Sequence, residues 1–198
     1  MLAWLFGTLE PVSLNVGRIS LREPKAADYR QWADLRGASR AYLTPWEPQW
    51  DADELSVSAF RRRLRRNGRA RRRGAALTLF IFLHDTGQLA GGISIFDIRH
   101  GVSNSARIGY WMGQAHAGKG LMSEALAAIL PYCFGTLGLH RLEAACIPRN
   151  AGSRRVLEKA GFAREGMLRS YLRINGIRED HELYARLADA DGENINRD

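Results

Sequence analysis

The chain has 198 residues, 45% of them apolar and 25% charged, which suits one domain with a substantial core. It carries 29 Lys+Arg against 21 Asp+Glu, a formal net charge of +8 that points toward anionic ligands or partners. No apolar stretch is long enough to cross a bilayer, and Cys133 and Cys146 have the spacing of neither a disulfide framework nor a metal site; reduced thiols in apolar surroundings and a cytoplasmic location are expected.

In chain order, the opening MLAWLFG is apolar but short, without a basic flank or a clear cleavage site. Residues 1–16 therefore read as an arm on the domain, not a signal peptide. Residues 17–22 alternate Arg18, Ile19, Ser20, Leu21 as a first strand. Residues 24–35 suggest a helix opened by Pro24. Pro45 and Pro48 break the next segment, and residues 51–66 suggest a second helix with Val57, Phe60 and Leu64 on one face. Nine arginines crowd between Arg61 and Arg73. They read either as a solvated face or as a patch that touches RNA through phosphates; the lack of interleaved aromatics argues against stacking on single strands. Residues 75–83 and 89–98 read as strands joined by a short turn at 84–88. A strand containing Ile108, Tyr110 and Met112 then enters a glycine-rich loop and a helix from Leu121, in which Pro131 removes a hydrogen bond and predicts a kink or an early stop. Strand 141–147, helix 151–160 and a last hairpin follow, and residues 188–198 form a polar tail. The domain is expected to span residues 17–187.

The loop is the most informative segment. Gly113, Gly118 and Gly120 let the backbone curl so that several N–H groups face one point, and the helix from Leu121 adds unpaired N–H groups and the positive end of its dipole. Lys119 supplements the charge, so a phosphate cradle is expected. Gly113, Gly118 and Lys119 match the spacing of a P-loop, but Gly120 stands where a magnesium-binding hydroxyl is required, and no apolar strand ends in the second metal-binding aspartate.

Aligned differently, residues 117–122 resemble the pyrophosphate loop (Q/R)-x-x-G-x-(G/A) of the GNAT acetyltransferases, with Gly120 at the central glycine, Ala117 in place of Gln or Arg, and Met122 in place of a small residue. The GKGLM-x-EAL wording is similar to the RimJ/RimL-like branch that acetylates ribosomal-protein N-termini. So are the later block HRLEAACIPRN-AGSRRVLEKAGFAREG, the final GMLRSYLRINGIREDHELYARL, and YLTPWEP near the start. The resemblance spans roughly residues 17–187. It implies an α+β GNAT (acyl-CoA N-acyltransferase) fold: a mixed, mostly antiparallel central sheet with helices on both faces. It implies acetyl-CoA as cosubstrate, no metal, and Met112, Gly113, Ala117, Gly118, Lys119, Gly120, Leu121, Met122 and Asn150 around that cosubstrate. The expected reaction is direct attack of an amine on the thioester, assisted by a general base, with the N-terminal α-amine of a ribosomal protein as acceptor. The rivals are a small amine (an antibiotic or a polyamine) and a non-catalytic CoA- or RNA-binding module. A weak rRNA contact through the arginine run and no membrane partner are expected.

Transfer needs a deprotonated amine, a polarised carbonyl and a neutralised thiolate. An α-amine titrates near ~7.8 and a lysine near ~10.4, so the former loses its proton more easily by about 3.5 kcal/mol and a modest base suffices. Glu143, on a strand beside the loop, is the first candidate base; paired with arginines it would be structural instead. Glu47 is a second carboxylate, able to hold or deprotonate the amine or simply to sit in a turn. Asp180, on the last hairpin, is a third. Ser153 is the candidate acid or thiol-side hydrogen bond, because Leu157 stands where related enzymes carry a tyrosine. Asn150 caps the N-terminus of that helix and, by the resemblance, also reaches the cosubstrate or acceptor. The oxyanion is expected at a backbone N–H near Met112 or Gly113. None of His84, His100, His116, His140 and His181 has metal-ligand spacing, and His116 in the loop is either a phosphate contact or solvated. Tyr42, Trp46 and Trp50 are expected at the acceptor entrance or half-buried in packing.

Overall fold

The computed structural model describes residues 10–188. The apolar start MLAWLFG and all but the first residue of the polar tail lie outside the described residues. Strands β1 (Ser13–Val16), β2 (Ile19–Arg22), β3 (Ala76–Leu83), β4 (Leu89–Arg99), β5 (Ser105–Met112), β6 (Arg141–Cys146), β7 (Ala163–Ile174) and β8 (Ile177–Leu187) form one sheet in the order β1-β2-β3-β4-β5-β6-β8-β7. Every neighbouring pair is antiparallel except β5 with β6. That parallel pair has three rows, from Ser105↔Arg141 to Arg107↔Glu143, after which the strands part. This is the expected mixed, mostly antiparallel GNAT sheet.

Helices cover both faces. On one side α1 (Tyr29–Ala38) and α3 (Val57–Arg72) bury Trp32 and Phe60 against Phe80, Phe82 and Leu89, with the Trp32 and Phe60 rings 4.8 Å apart. The short α2 (Arg40–Leu43) lies between them in the chain. On the other side α4 (Leu121–Pro131) and α5 (Ala151–Lys159) bury Ala125, Leu126, Ile129 and Leu157 against Ile19, Leu79, Ile81 and Ile93. Each large side chain so buried contributes roughly 1.5–3 kcal/mol, which favours keeping both helix layers on the sheet. No helix among the described residues is long and apolar enough to cross a membrane.

Several elements differ from their sequence expectation, each for a local reason. The first helix starts at Tyr29, not at Pro24, because the Asp28 carboxylate accepts from the Lys25 N–H at 2.7 Å and from Arg22 at 2.8 Å, holding the intervening residues in a 3-10 turn. The next helix starts at Val57, where Ser56 Oγ accepts from the Ala59 N–H at 3.1 Å. Asp53 and Glu54, which resemble a first helical turn, instead reach forward to Arg62 and Arg63. The arginines themselves carry good helix propensity and extend the helix to Arg72. Ser13–Val16, read as part of an arm, is an edge strand of the sheet. At Pro131 α4 stops, and a π-turn over Tyr132–Thr136 closes with Leu137 N–H donating to Tyr132 O at 2.9 Å. The hairpin β7–β8 turns at Asn175-Gly176, both with positive φ (43° and 87°), the backbone that a two-residue hairpin demands.

Candidate active site

The glycine loop leaves β5 at Met112, makes a 3-10 turn over Gln114–His116 and enters α4 through Gly118 (φ +73°) and Gly120 (φ +80°). The first bond of α4 is Glu124 N–H to Gly120 O at 3.1 Å, so the N–H groups of Leu121, Met122 and Ser123 have no partner within the helix. Two ties hold the loop. Gln114 N–H donates to Ser39 Oγ at 2.9 Å, and Arg18 donates to Lys119 O at 2.8 Å and to the Glu124 carboxylate at 2.9 Å. The Arg18 guanidinium holds the Glu124 carboxyl below its usual range. A side chain at Gly113 would run into Leu35, so close approach to α1 requires glycine there. Met122 replaces the motif's small residue because its side chain is buried in the core under α4. Ala117 packs on the same core, and Lys119 is exposed. Partial burial and the neighbouring Lys119 lower the His116 pKa, favouring its neutral ring.

Beside this loop the parting of β5 from β6 opens a cavity of about 980 Å³ that crosses the sheet. One end meets Met112, the cradle, Asn150 and Ser153; the other meets Tyr42, Trp46 and Glu47. Asn150 Oδ1 accepts from the Ser153 N–H at 3.0 Å, capping α5 as expected and fixing the serine at the cavity wall. Tyr110, which no motif singled out, spans the gap from β5 with its hydroxyl 2.9 Å from Ser153 Oγ. Burial pushes its phenol well above the usual range, so it stays protonated. Leu157 is packed in the core. Gly113 N–H donates to Ala90 O at 2.9 Å and is therefore not free to hold an oxyanion; strand alternation turns the Met112 N–H toward the opening instead. Cys146 lines the cavity and Cys133 lies in the core; burial pushes their thiols to about 11 and about 12.

The carboxylates fare differently. Glu143 lies on the last paired row of β5 and β6, facing Arg141 at 2.8 Å and Arg107 at 3.7 Å. Glu47 is held by Arg36 at 2.6 Å and by Trp50 Nε1 at 2.8 Å, while its carbonyl accepts from the Asn175 N–H at 3.0 Å, tying the hairpin turn to this connection. Arg36 is itself buried among the rings of Trp32, Trp50 and Trp111. Asp180 does not join them: it accepts from the Ser170 N–H at 2.6 Å, at a bulge where Ser170 has φ +50°, and lines a separate small cleft with Arg149 and Arg178. His181, one residue on, lines the main cavity although its ring is buried. The period-2 alternation of the last hairpin was the only signal for it.

The chain matches the family described as Acetyltransferase (GNAT) domain over residues 18–163. It is 36% identical to the Bacillus subtilis protein named Probable N-acetyltransferase YjcK, over 85% of this chain and 93% of that one. It is 33% identical to the Escherichia coli [Ribosomal protein uS5]-alanine N-acetyltransferase, over 88% of this chain and 90% of that one. The solved structure of Mycobacterium smegmatis RimJ in complex with CoA-disulfide superposes with a TM-score of 0.84 at 34% identity, covering 92% of this chain and 89% of that one. The chain therefore belongs to the GNAT family and is an acetyl-CoA-dependent N-acetyltransferase.

Proposed function

We propose that the acceptor is the N-terminal α-amine of a protein, foremost a ribosomal protein, which the enzyme acetylates in the cytoplasm by direct attack without a covalent enzyme intermediate. The observation that carries this reading is the far end of the cavity, open beneath Tyr42 and Trp46 and bordered by the β7–β8 hairpin, which suits the end of an extended chain. The relative from Escherichia coli, named for an alanine on ribosomal protein uS5, supports the same acceptor class.

In this reading the N–H groups of Leu121, Met122 and Ser123 hold the diphosphate of acetyl-CoA, with Gly118, Gly120 and Lys119 shaping and charging the cradle. Ala117, Gly113 and Met112 border the arm of the cosubstrate, and the Met112 N–H receives the developing oxyanion. Asn150 fixes Ser153, and Ser153, backed by Tyr110, gives a proton to the departing sulfur. The outer face of α3 supplies a weak electrostatic contact with rRNA: Arg61, Arg65, Arg66, Arg69, Arg72 and Arg73 are exposed, whereas Arg62, Arg63 and Arg71 are paired with Asp53, Glu54 and Glu23.

Release of thiol from acetyl-CoA, followed with DTNB, tests the acceptor. An alanine-starting ribosomal peptide is expected to drive it. Turnover with polyamines or aminoglycosides but not with peptides would replace this acceptor class by a small amine, and CoA binding without any turnover would leave only a binding module. For the arginine face, filter binding to rRNA in rising salt should give a log–log slope that flattens by roughly 0.7 for each arginine replaced by serine. Affinity that is absent or insensitive to salt removes that contact.

A further inference from the structure

We propose that His181 is the base that takes the acceptor's proton, an assignment that rests on the reading of the acceptor as a protonated amine entering the cavity. In the register of β6 with β8, Ala145 faces Leu183 and Glu143 faces Ala185, and in that of β7 with β8, Leu168 faces His181. Alternation puts His181 on the same side of the sheet as Leu183, Ala145 and Glu143, which is the acceptor side. Its ring is only 3% exposed yet lines the cavity.

Nδ1 of His181 lies 3.0 Å from the carbonyl oxygen of Glu179. A carbonyl only accepts, so Nδ1 carries the hydrogen and the neutral ring presents its lone pair at Nε2. The Tyr171 ring stands edge-on at 5.5 Å and fixes the plane of the imidazole. Nε2 has no protein partner among the described residues.

The three carboxylates that the sequence offers for this step are differently placed. Glu143 faces two guanidinium groups, Glu47 a guanidinium and an indole N–H, and Asp180 a backbone N–H outside the cavity. Each has oxygen lone pairs already engaged by a cation or a donor. His181 therefore has the open basic lone pair on the acceptor side. The charged and titratable groups that share the cavity with it are Tyr42 from α2 and Glu47 from the connection after it, Arg107 and Tyr110 from β5, His116 from the glycine loop, Glu143 and Cys146 from β6, Arg155 and Lys159 from α5, and Tyr171 and Arg173 from β7. On its own strand Glu179 is paired with Arg149, and Glu182 points to the opposite face, toward Arg154 and Arg164.

The step balances. The acceptor ammonium gives one proton to Nε2, and the freed nitrogen lone pair forms a bond to the thioester carbonyl carbon. As the carbon–sulfur bond breaks, its electron pair stays on sulfur. The second proton lost by nitrogen passes to that sulfur through Ser153, and the imidazolium returns its own proton to solvent.

Replacing His181 with asparagine keeps an N–H donor for the Glu179 carbonyl and deletes Nε2. For H181N the thermal midpoint and the calorimetric affinity for CoA should match the parent, while kcat falls by about 100-fold or more and the acid limb of its pH profile disappears. E143Q should retain that limb. Turnover of H181N within about threefold of the parent with the limb intact, or loss of the limb in E143Q, overturns the assignment. Ring-nitrogen NMR of the CoA-bound protein reads the same feature without any acceptor: the Nδ1–H tautomer supports the proposal and an Nε2–H tautomer refutes it. If the parent acetylates a polyamine but no peptide, the acceptor reading fails alone, and H181N is then judged on the polyamine.

Discussion

Replacing Gly120 with alanine should separate the cradle from the rest of the fold. Gly120 has φ +80° and ψ −4°, a left-handed conformation that costs an L-residue about 1–2 kcal/mol. A Cβ there has room, since its nearest neighbour would be Arg18 Nη2 at 3.7 Å, so torsion is the whole of the penalty. In a domain of this size that lowers the melting temperature by roughly 2–8 °C. Any relief of the strain turns the N–H groups of Leu121, Met122 and Ser123 away from their common point. Losing one hydrogen bond to a charged group removes about 1.5–3 kcal/mol, or roughly tenfold to 150-fold in affinity. Gly87 is the control: it has φ +64° in the β3–β4 turn with nothing within 4 Å of a Cβ, so G87A carries a similar torsional cost far from the loop. Calorimetry with CoA and with pantetheine, which lacks the diphosphate, reads the difference. G120A should lose CoA affinity and keep pantetheine affinity, and G87A should keep both. Equal CoA affinity in G120A and G87A refutes the cradle.

Other outcomes follow from the same geometry. S153A and Y110F should each lower kcat with little change in the KM for acetyl-CoA, and their double variant should be no worse than S153A, because the two hydroxyls act as one pair at 2.9 Å; initial-rate kinetics decide this. R36M should destabilise the fold by about 3 kcal/mol or more in urea unfolding, since it strands the Glu47 carboxylate beside buried rings, whereas a surface variant such as R62M should fall within ~1 kcal/mol. With thiols raised to about 11 and about 12 against ~8.5 in an unfolded chain, native Cys146 and Cys133 stay protonated. Folding therefore gains from them below pH ~8.5 and loses that gain as pH rises through the native values. Native protein should react slowly with DTNB at pH 8, denatured protein quickly, and C146S should soften the alkaline fall in stability.

Legibility in the sequence depended on whether a feature was set locally. The glycine turn into α4 could be read because Gly118 and Gly120 answer a backbone requirement within one turn. The cap at Asn150 could be read for the same reason. The edge strand at Ser13–Val16 carried an alternation of Leu14 and Val16 that was outweighed by the apolar start before it. The beginning of α3 was obscured because Asp53 and Glu54 look like a helical first turn while their partners, Arg62 and Arg63, lie nine residues ahead. The bond from Tyr110 to Ser153 joins residues 43 apart, and the exclusion of Asp180 from the cavity depends on a bulge around Ser170. Neither follows from spacing along one segment. Glu143 was correctly placed beside the loop's strand, but its two arginine neighbours come from β5 and β6 together and emerge only once those strands pair.

The brevity of the β5–β6 junction has a mechanical consequence. Strands β1 to β5 and the trio β6, β8, β7 meet along three rows of backbone bonds, far less than any interior hairpin of this sheet. That seam is the shortest paired junction in the sheet, and the cavity that opens from it is lined by residues of both parts. If the cosubstrate seats there as proposed, its affinity adds cohesion across the seam: hydrogen exchange at Tyr110, Met112, Ala144 and Cys146 should slow on loading far more than exchange in β3.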